Sequence, residues 1–105
     1  MTMQDSARPP AKFYLRARLL RSLEDVETVK REVKAGNILI LRISALAKKS
    51  AEDVKRAVDE LCRFTELTGG DIARLGEERV VITPSSIRIW RGKTTIREQE
   101  TPTSA

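Results

Sequence analysis

Every second residue of the segment 13–20 is apolar, with one exception at its end. Alternation with a period of two is the pattern of a β-strand that turns one face towards a core. We therefore predict a strand here and expect its more apolar face to be buried. That face carries Phe13, Leu15, Ala17 and Leu19, whereas the other face carries Tyr14, Arg16, Arg18 and Leu20.

Two segments with helical spacing follow, and each begins at a serine. After Ser22, apolar residues recur every three or four positions as far as Gly36, which predicts a helix over about 22–35. After Ser50, a second apolar stripe runs to the Gly69-Gly70 pair and predicts a second helix. In both segments the serine hydroxyl can accept from the free N–H groups at the start of the helix.

The rest of the core has the pattern of β-structure. Residues 37–43 are almost continuously apolar, as in a central strand that is covered on both faces or nearly so. Residues 71–75 and 79–83 flank a tight turn and predict an antiparallel hairpin. Residues 87–90 alternate again after a turn and predict a last short strand.

The predicted order of elements is β-α-β-α-β-β-β, with a loop that carries Lys48-Lys49 before the second helix. This order packs most economically as two helices on one face of a mixed sheet, an α+β fold of the two-layer sandwich type. Residues 1–12 contain Arg8-Pro9-Pro10, and residues 93–105 are rich in Thr, Glu and Ser. We predict a flexible N-terminal arm at 1–12, a core domain at 13–92 and a flexible C-terminal tail at 93–105.

Composition narrows the possible chemistry. The chain has 105 residues, enough for one domain, and contains no histidine, which excludes imidazole as a base or a ligand. Its single cysteine, Cys62, can form neither an internal disulfide nor a cysteine-rich zinc site, as expected of a reduced, cytoplasmic protein. We find no catalytic motif. The sequence therefore predicts a binding protein without enzymatic activity, cofactor or metal.

The net charge of +5 is unevenly distributed. The predicted strands and their loops carry ten Lys and Arg against three Asp and Glu, whereas both predicted helices are net acidic. A sheet face that mixes arginines with apolar residues is expected to be covered by a second copy of the chain, although a solvated face remains the alternative. The expected dimer-interface residues are Tyr14, Arg16, Arg18, Ile38, Ile40, Arg42, Arg88 and Trp90.

Three motifs in the second half of the core resemble those of one known family. They are a Lys-Arg-x-x-Asp helix, a Gly-Gly-x-Ile-x-Arg-x-Gly turn and an apolar strand ending in Thr-Pro, and from Lys55 to Pro84 they match that family's spacing without an insertion or deletion. They occupy Lys55 to Asp59, Gly69 to Gly76 and Val81 to Pro84. In order and spacing they resemble the core domain of SepF, a cell-division family that links FtsZ filaments to the membrane. The resemblance covers roughly residues 13–90.

The resemblance implies a non-catalytic adaptor for septum formation that tethers or organises the division ring at the cytoplasmic face of the division site. It also implies a homodimer that binds the C-terminal peptide of FtsZ in a groove beside the second helix. Carried over by position, the peptide-binding residues are Lys55, Arg56, Leu61, Phe64, Ile72 and Val80. Simple burial in the core is the competing interpretation for Leu61, Ile72 and Val80.

Two features depart from the family pattern. SepF proteins normally begin with an amphipathic membrane-binding helix, whereas residues 1–12 hold two prolines and few apolar residues. Membrane association is therefore expected only through an anchor outside this sequence. Bacterial members that form rings have a glycine late in the second helix, whereas this chain has Arg63 there. Archaeal SepF-like proteins, which stop at dimers, also lack this glycine, so the resemblance implies the archaeal type.

Two other classes of function remain open at this stage. Phosphate contacts from an arginine-rich sheet face would suit a nucleic-acid-binding protein, although the sheet lacks aromatic pairs that stack on bases. A small-molecule-sensing regulatory domain is compatible with the order of elements, but no residue favours it.

Overall fold

The computed structural model describes residues 13–92 as a four-stranded mixed sheet with three helices. The elements are β1 (Leu15–Leu19), α1 (Asp25–Lys34), β2 (Ile38–Arg42), α2 (Ser44–Lys49), α3 (Ala51–Thr68), β3 (Asp71–Leu75) and β4 (Arg79–Thr83). This architecture confirms the expected α+β class. The arm and the tail predicted at 1–12 and 93–105 lie outside the described residues.

The sheet has the strand order β1-β2-β4-β3. β1 and β2 are parallel and are connected through α1, whereas β4 runs antiparallel to both of its neighbours, β2 and β3. The predicted hairpin of β3 and β4 is thus confirmed. β2 and β4 form the centre of the sheet, and β1 and β3 form its edges.

The core lies between one face of the sheet and the helices α1 and α3. Alternate residues of the central strands point to this side, namely Leu39 and Leu41 of β2 and Val80 and Ile82 of β4, and none is more than 1% exposed. Full burial of such a side chain stabilises the fold by about 1.5–3 kcal/mol. The helices contribute Val26, Val29, Val33, Ala57, Leu61 and Phe64 to the same cluster.

The helix boundaries confirm one predicted cap and correct the other. The Ser50 hydroxyl accepts a 3.1 Å hydrogen bond from the Asp53 N–H at the start of α3, and Gly69 ends that helix with a φ of 84°. The predicted cap at Ser22 is wrong, since the Asp25 carboxylate instead accepts from the N–H groups of Arg21 and Ser22. α1 therefore begins at Asp25, later than predicted.

Two further elements differ from the prediction. Residues 44–49, predicted as a loop, form the short helix α2, which packs Leu46 into the core. A helix of six residues is too short to show a helical period in the sequence. The strand predicted at 87–90 does not form, and these residues run without regular structure.

The side chains of β1 lie on faces opposite to those predicted. In the parallel register of β1 and β2, Arg16 is the partner of Leu39, and Arg18 is the partner of Leu41. Both arginines therefore lie on the helix side of the sheet, because paired residues share a face. Their guanidinium groups lie 3.4 and 3.0 Å from the carboxylate of Glu32 in α1.

The apolar side of β1 consequently faces away from the core. Leu15 and Leu19 are 65% and 47% exposed, and Phe13 before the strand is 53% exposed, whereas Leu20 is fully buried. The predicted face assignment fails because β1 is an edge strand. A long arginine side chain can lie along the rim of the core there while Glu32 neutralises its charge. Tyr14, Arg16, Arg18 and Leu20 thus do not share a face with Ile38, Ile40 and Arg42.

We call the side of the sheet away from the helices the open face. All four strands contribute to it, and its cross-strand rows are mostly apolar. No helix of the described chain packs on this side. The open face consists of Leu15, Ala17, Leu19, Ile38, Ile40, Arg42, Asp71, Ala73, Leu75, Arg79, Val81 and Thr83.

Asp71, at the start of β3, forms hydrogen bonds that hold Ile89 and Arg91 after the turn that follows β4. Its carboxylate accepts hydrogen bonds from the N–H groups of Ile72 and Ile89 and lies 3.0 Å from the Arg91 guanidinium. The bond from Arg91, followed by the backbone bond from Ile89, lowers the pKa of Asp71 from 3.8 to about 2. Thr83 adds a 2.6 Å bond from its hydroxyl to the carbonyl of Ile87.

We expect Asp71→Asn to lower the free energy of unfolding by about 1 kcal/mol at neutral pH, a value kept small because Arg91 is half exposed. Since the folded pKa of Asp71 lies below its unfolded value, its contribution is complete above pH 3.8 and is lost as the pH falls towards 2. Urea titrations of both proteins across this range should therefore converge at acid pH. A difference that stayed constant down to pH 2 would contradict the assignment.

Candidate functional site

A groove runs between α1 and α3, and we call it the inter-helix groove. One ion pair crosses its middle, where the Lys30 ammonium lies 2.8 Å from the Glu60 carboxylate and 3.4 Å from that of Glu27. The hydrogen bond with Glu60 raises the pKa of Lys30, and the same bond lowers the pKa of Glu60. This pair divides the groove into two hollows.

The first hollow lies between the start of α1 and the first half of α3. It has a volume of about 290 Å³ and is lined by Leu23, Arg56, Asp59, Glu60 and Arg63. Arg56 and Arg63 are seven residues apart, which places them on one side of the helix, two turns apart. Neither arginine forms an ion pair within the part of the chain that the structure describes.

The second hollow lies where α1 and α3 end beside the turn after β4. Its volume is about 150 Å³, and its lining consists of Val33, Lys34, Phe64, Thr68, Pro84 and Ser85. Phe64 is 7% exposed and forms the apolar floor, with the ammonium groups of Lys30 and Lys34 at 5.9 and 6.0 Å from its ring centre. These distances are typical of cation–π contacts. Between residues 13 and 92, Lys34 has no ion-pair partner.

Gly70 keeps the second hollow in shape, because it lets the end of α3 approach the end of β4. A Cβ atom at position 70 would collide with the carbonyl group of Thr83. The turn that begins there brings Pro84 and Ser85 against Phe64. The two glycines thus have different roles: Gly69 ends α3, and Gly70 leaves the space that the carbonyl of Thr83 in β4 occupies.

Three other features were sought in residues 13–92: a metal site, a reactive thiol and a membrane-spanning helix. Among residues 13–92, no cluster of three His, Cys, Asp or Glu side chains could hold a metal ion. Burial, followed by the charges of Asp59 and Glu66, raises the pKa of the Cys62 thiol, which makes it a poorer nucleophile at neutral pH. None of the three helices has the length and apolar character needed to cross a bilayer.

Comparison with known proteins identifies the family. The family model described as cell division protein SepF matches residues 19–89. The cell division protein SepF of Haloferax volcanii is 30% identical over 89 residues, which cover 85% of this chain and 75% of that protein. The chain belongs to the SepF family.

Two solved SepF structures share this fold. The SepF-like protein from Archaeoglobus fulgidus is 33% identical, with a TM-score of 0.70 over 77% of this chain and 96% of that one. The cell division protein SepF from Methanobrevibacter smithii, solved in complex with FtsZ-CTD, is 20% identical, with a TM-score of 0.64 over 75% of this chain and 98% of that one. All three relatives named here are archaeal, in agreement with the predicted archaeal type.

The residues expected from the SepF resemblance fall into two groups. Arg56 and Phe64 line the inter-helix groove, one in each hollow, and Lys55 is exposed on the adjoining surface of α3. Leu61 and Val80 are at most 1% exposed and belong to the core. Ile72 is partly buried against that core. The competing interpretation of burial therefore describes Leu61 and Val80, which no peptide can reach on the folded surface.

The groove also contains residues that the sequence did not point to. The sequence predicts a helix around Lys34 and a motif that ends at Pro84, but assigns neither residue a role in binding. It marks Arg63 only as a departure from the family glycine and makes no use of its charge. The spacing of Arg56, Glu60, Arg63 and Phe64 along one side of α3 was the available signal, since residues four, seven and eight positions apart share a side of a helix.

We expect Leu61→Ala to lower the free energy of unfolding by about 3 kcal/mol, because Leu61 is fully buried between α3 and the sheet. Lys55→Ala, on the exposed surface of the same helix, should change this free energy by less than about 0.5 kcal/mol. Chemical unfolding monitored by circular dichroism gives both values. Equal effects would show that Leu61 is not a core residue.

Proposed function

We propose that this SepF-family protein is a non-catalytic adaptor that binds the C-terminal peptide of FtsZ in the inter-helix groove and acts at the division site as a homodimer. The observation that supports the groove most directly is the second hollow, where an apolar ring lies beside a lysine with no ion-pair partner in residues 13–92. The SepF from M. smithii, solved with FtsZ-CTD, supports the choice of ligand.

The dimensions of the groove suit a short peptide. Arg56 and Phe64 are eight residues apart in α3, which corresponds to about 12 Å along a helix. Roughly four residues of an extended peptide span this distance. An apolar side chain could fill the hollow above Phe64 while acidic groups meet Lys34 at one end and Arg56 and Arg63 at the other.

The open face supports the homodimer. Its outer positions expose large apolar side chains, with Leu15 at 65% and Leu19 and Leu75 at 47% each. Apolar area of this kind on one side of a small domain marks an interaction surface, and a two-fold pair is the commonest way to cover it. Ile38, Ile40 and Arg42 of the predicted interface lie on this face.

The same geometry weakens the nucleic-acid alternative. That alternative depended on a sheet face on which Arg16, Arg18 and Arg42 lie together. Arg16 and Arg18 instead lie on the helix side and share the carboxylate of Glu32. In residues 13–92 the open face keeps only Arg42 and its cross-strand neighbour Arg79, so the three arginines that this alternative requires do not lie together.

We expect Lys34→Ala and Arg56→Ala each to weaken the binding of an FtsZ C-terminal peptide from the same organism about fivefold to tenfold, since each removes a charge from one end of the groove. Lys55→Ala should weaken it less. Lys48→Ala, an exposed lysine in α2 outside both hollows, is the matched control and should bind as the unaltered protein does. Calorimetry measures all four. The proposal fails if the unaltered protein does not bind the peptide.

Light scattering tests the dimer. We expect a mass near twice 11.8 kDa for the unaltered chain. Leu15→Asp should give the monomer mass, because it places a charge on the open face. Leu67→Asp is the control, since Leu67 is 83% exposed on α3, away from the open face, and should leave the mass unchanged. A monomer at all concentrations for the unaltered chain would refute the dimer.

A further inference from the structure

The residues that follow the turn after β4 have the alternating pattern of a strand but pair with no strand of the sheet. We call residues 87–91 the C-terminal segment. Ile87 and Ile89 are half-buried against the fold, whereas Arg88 and Trp90 point outwards, and Trp90 is 85% exposed. Tryptophan is among the more buried residues on average, so an indole this exposed on an ordered segment needs an explanation.

The position of the C-terminal segment is well defined. The Asp71 carboxylate accepts from the N–H of Ile89 at 2.9 Å and from the Arg91 guanidinium, and Arg91 also donates to the carbonyl of Ile72 at 2.8 Å. Both acceptors belong to the start of β3, an edge strand of the sheet. The segment is therefore held beside β3, with Trp90 directed away from its own chain.

Most of the exposed apolar area of the sheet lies at the opposite edge, where Leu15 is 65% and Leu19 47% exposed on β1, whereas β3 exposes Leu75 at 47%. Three strand spacings separate β1 from β3, a distance of about 14 Å. Trp90 lies beside β3, so it cannot cover Leu15 or Leu19 of its own chain. A single chain thus leaves two apolar features uncovered, one at each edge of the sheet.

Symmetry provides one arrangement in which these two features cover each other. When two sheets pack face to face about a two-fold axis parallel to their strands, the β3 edge of each copy lies over the β1 edge of the other. An axis across the strands would instead place β1 over β1 and β3 over β3. The first arrangement brings each Trp90 to the edge that exposes the larger apolar area, with Phe13, Leu15 and Leu19, whereas the second would bring it to the β3 edge, which exposes Leu75.

We propose that Trp90 of each copy packs on Leu15 and Leu19 of a second copy, so that the C-terminal segment of one chain completes the open face of the other. This inference rests on the dimer proposed above and specifies the contact that orients it. In this dimer a second copy of the chain covers the open face, and the two-fold axis runs parallel to the strands. Trp90 is then an interface anchor, and Asp71 is the residue that positions it.

The first test uses the fluorescence of Trp90, which is the only tryptophan in the chain. As the protein concentration rises through the monomer–dimer transition, the emission should shift to shorter wavelengths, and quenching by iodide should decrease. Asp71→Asn should reduce both changes, because it removes the charge and one of the two oxygens that hold Ile89 and Arg91. A dimer by light scattering whose Trp90 stays fully accessible to iodide overturns the inference.

The second test detects the contact between chains. In a Cys62→Ser background, which removes the only thiol, a Trp90→Phe chain carries a nitroxide on Leu15→Cys and is mixed with a chain that retains Trp90. Nitroxides quench tryptophan at contact distance, so the emission should fall. The same label on Leu67→Cys, on α3, is the matched control and should leave the emission unchanged.

Light scattering gives the mass of each mixture and so separates loss of the dimer from loss of the Trp90 contact alone. A label on Leu19→Cys provides a second position if the label on Leu15→Cys prevents dimerisation. A dimer that shows no quenching from either position overturns the contact of Trp90 but leaves the dimer intact. A monomer mass for the unlabelled protein at every concentration overturns the proposed dimer itself, and this inference with it.

Discussion

The structure depends on a constraint at one edge of the sheet, namely the parallel register of β1 with β2. This register places Arg16 and Arg18 over the rim of the core, where both form ion pairs with Glu32. It also directs the leucines of β1 to the open face. A shift by one residue would exchange the two sets and leave arginines along the open face. The two surfaces of the molecule thus follow from one set of backbone pairs and one carboxylate.

Local signals in the sequence were enough to predict most elements. The Ser50 cap, the Gly69 end of α3 and the hairpin around Gly76 each depend on neighbouring residues, and each was predicted correctly. The face of β1 was not, because alternation defines two faces of a strand but does not say which one the helices cover. That depends on the place of the strand in the sheet. A central strand with arginines at these positions would bury them, whereas an edge strand lets them reach Glu32.

The candidate site shows the same division between local and tertiary information. The family motifs indicated α3 as the candidate binding helix, and Arg56 and Phe64 of α3 line the inter-helix groove. The same positional transfer selected Leu61 and Val80, which are core residues, because a motif does not record which side of a helix or strand faces inwards. Lys34 and Pro84 were missed because they lie 30 and 20 positions from Phe64 in the sequence and meet it only in the folded chain.

The separation of the two surfaces has a consequence for the proposed binding of a dimer to FtsZ filaments. Since the helices and the open face lie on opposite sides of the sheet, a dimer formed through the open faces leaves both inter-helix grooves exposed and directed outwards. A filament presents many copies of the same tail, so the second groove of a dimer binds at a raised effective concentration. Each groove can then be weak and small, as hollows of 290 and 150 Å³ are, while the dimer stays attached. In this arrangement the pairing of the sheets, rather than a deeper groove, supplies the strength of the attachment.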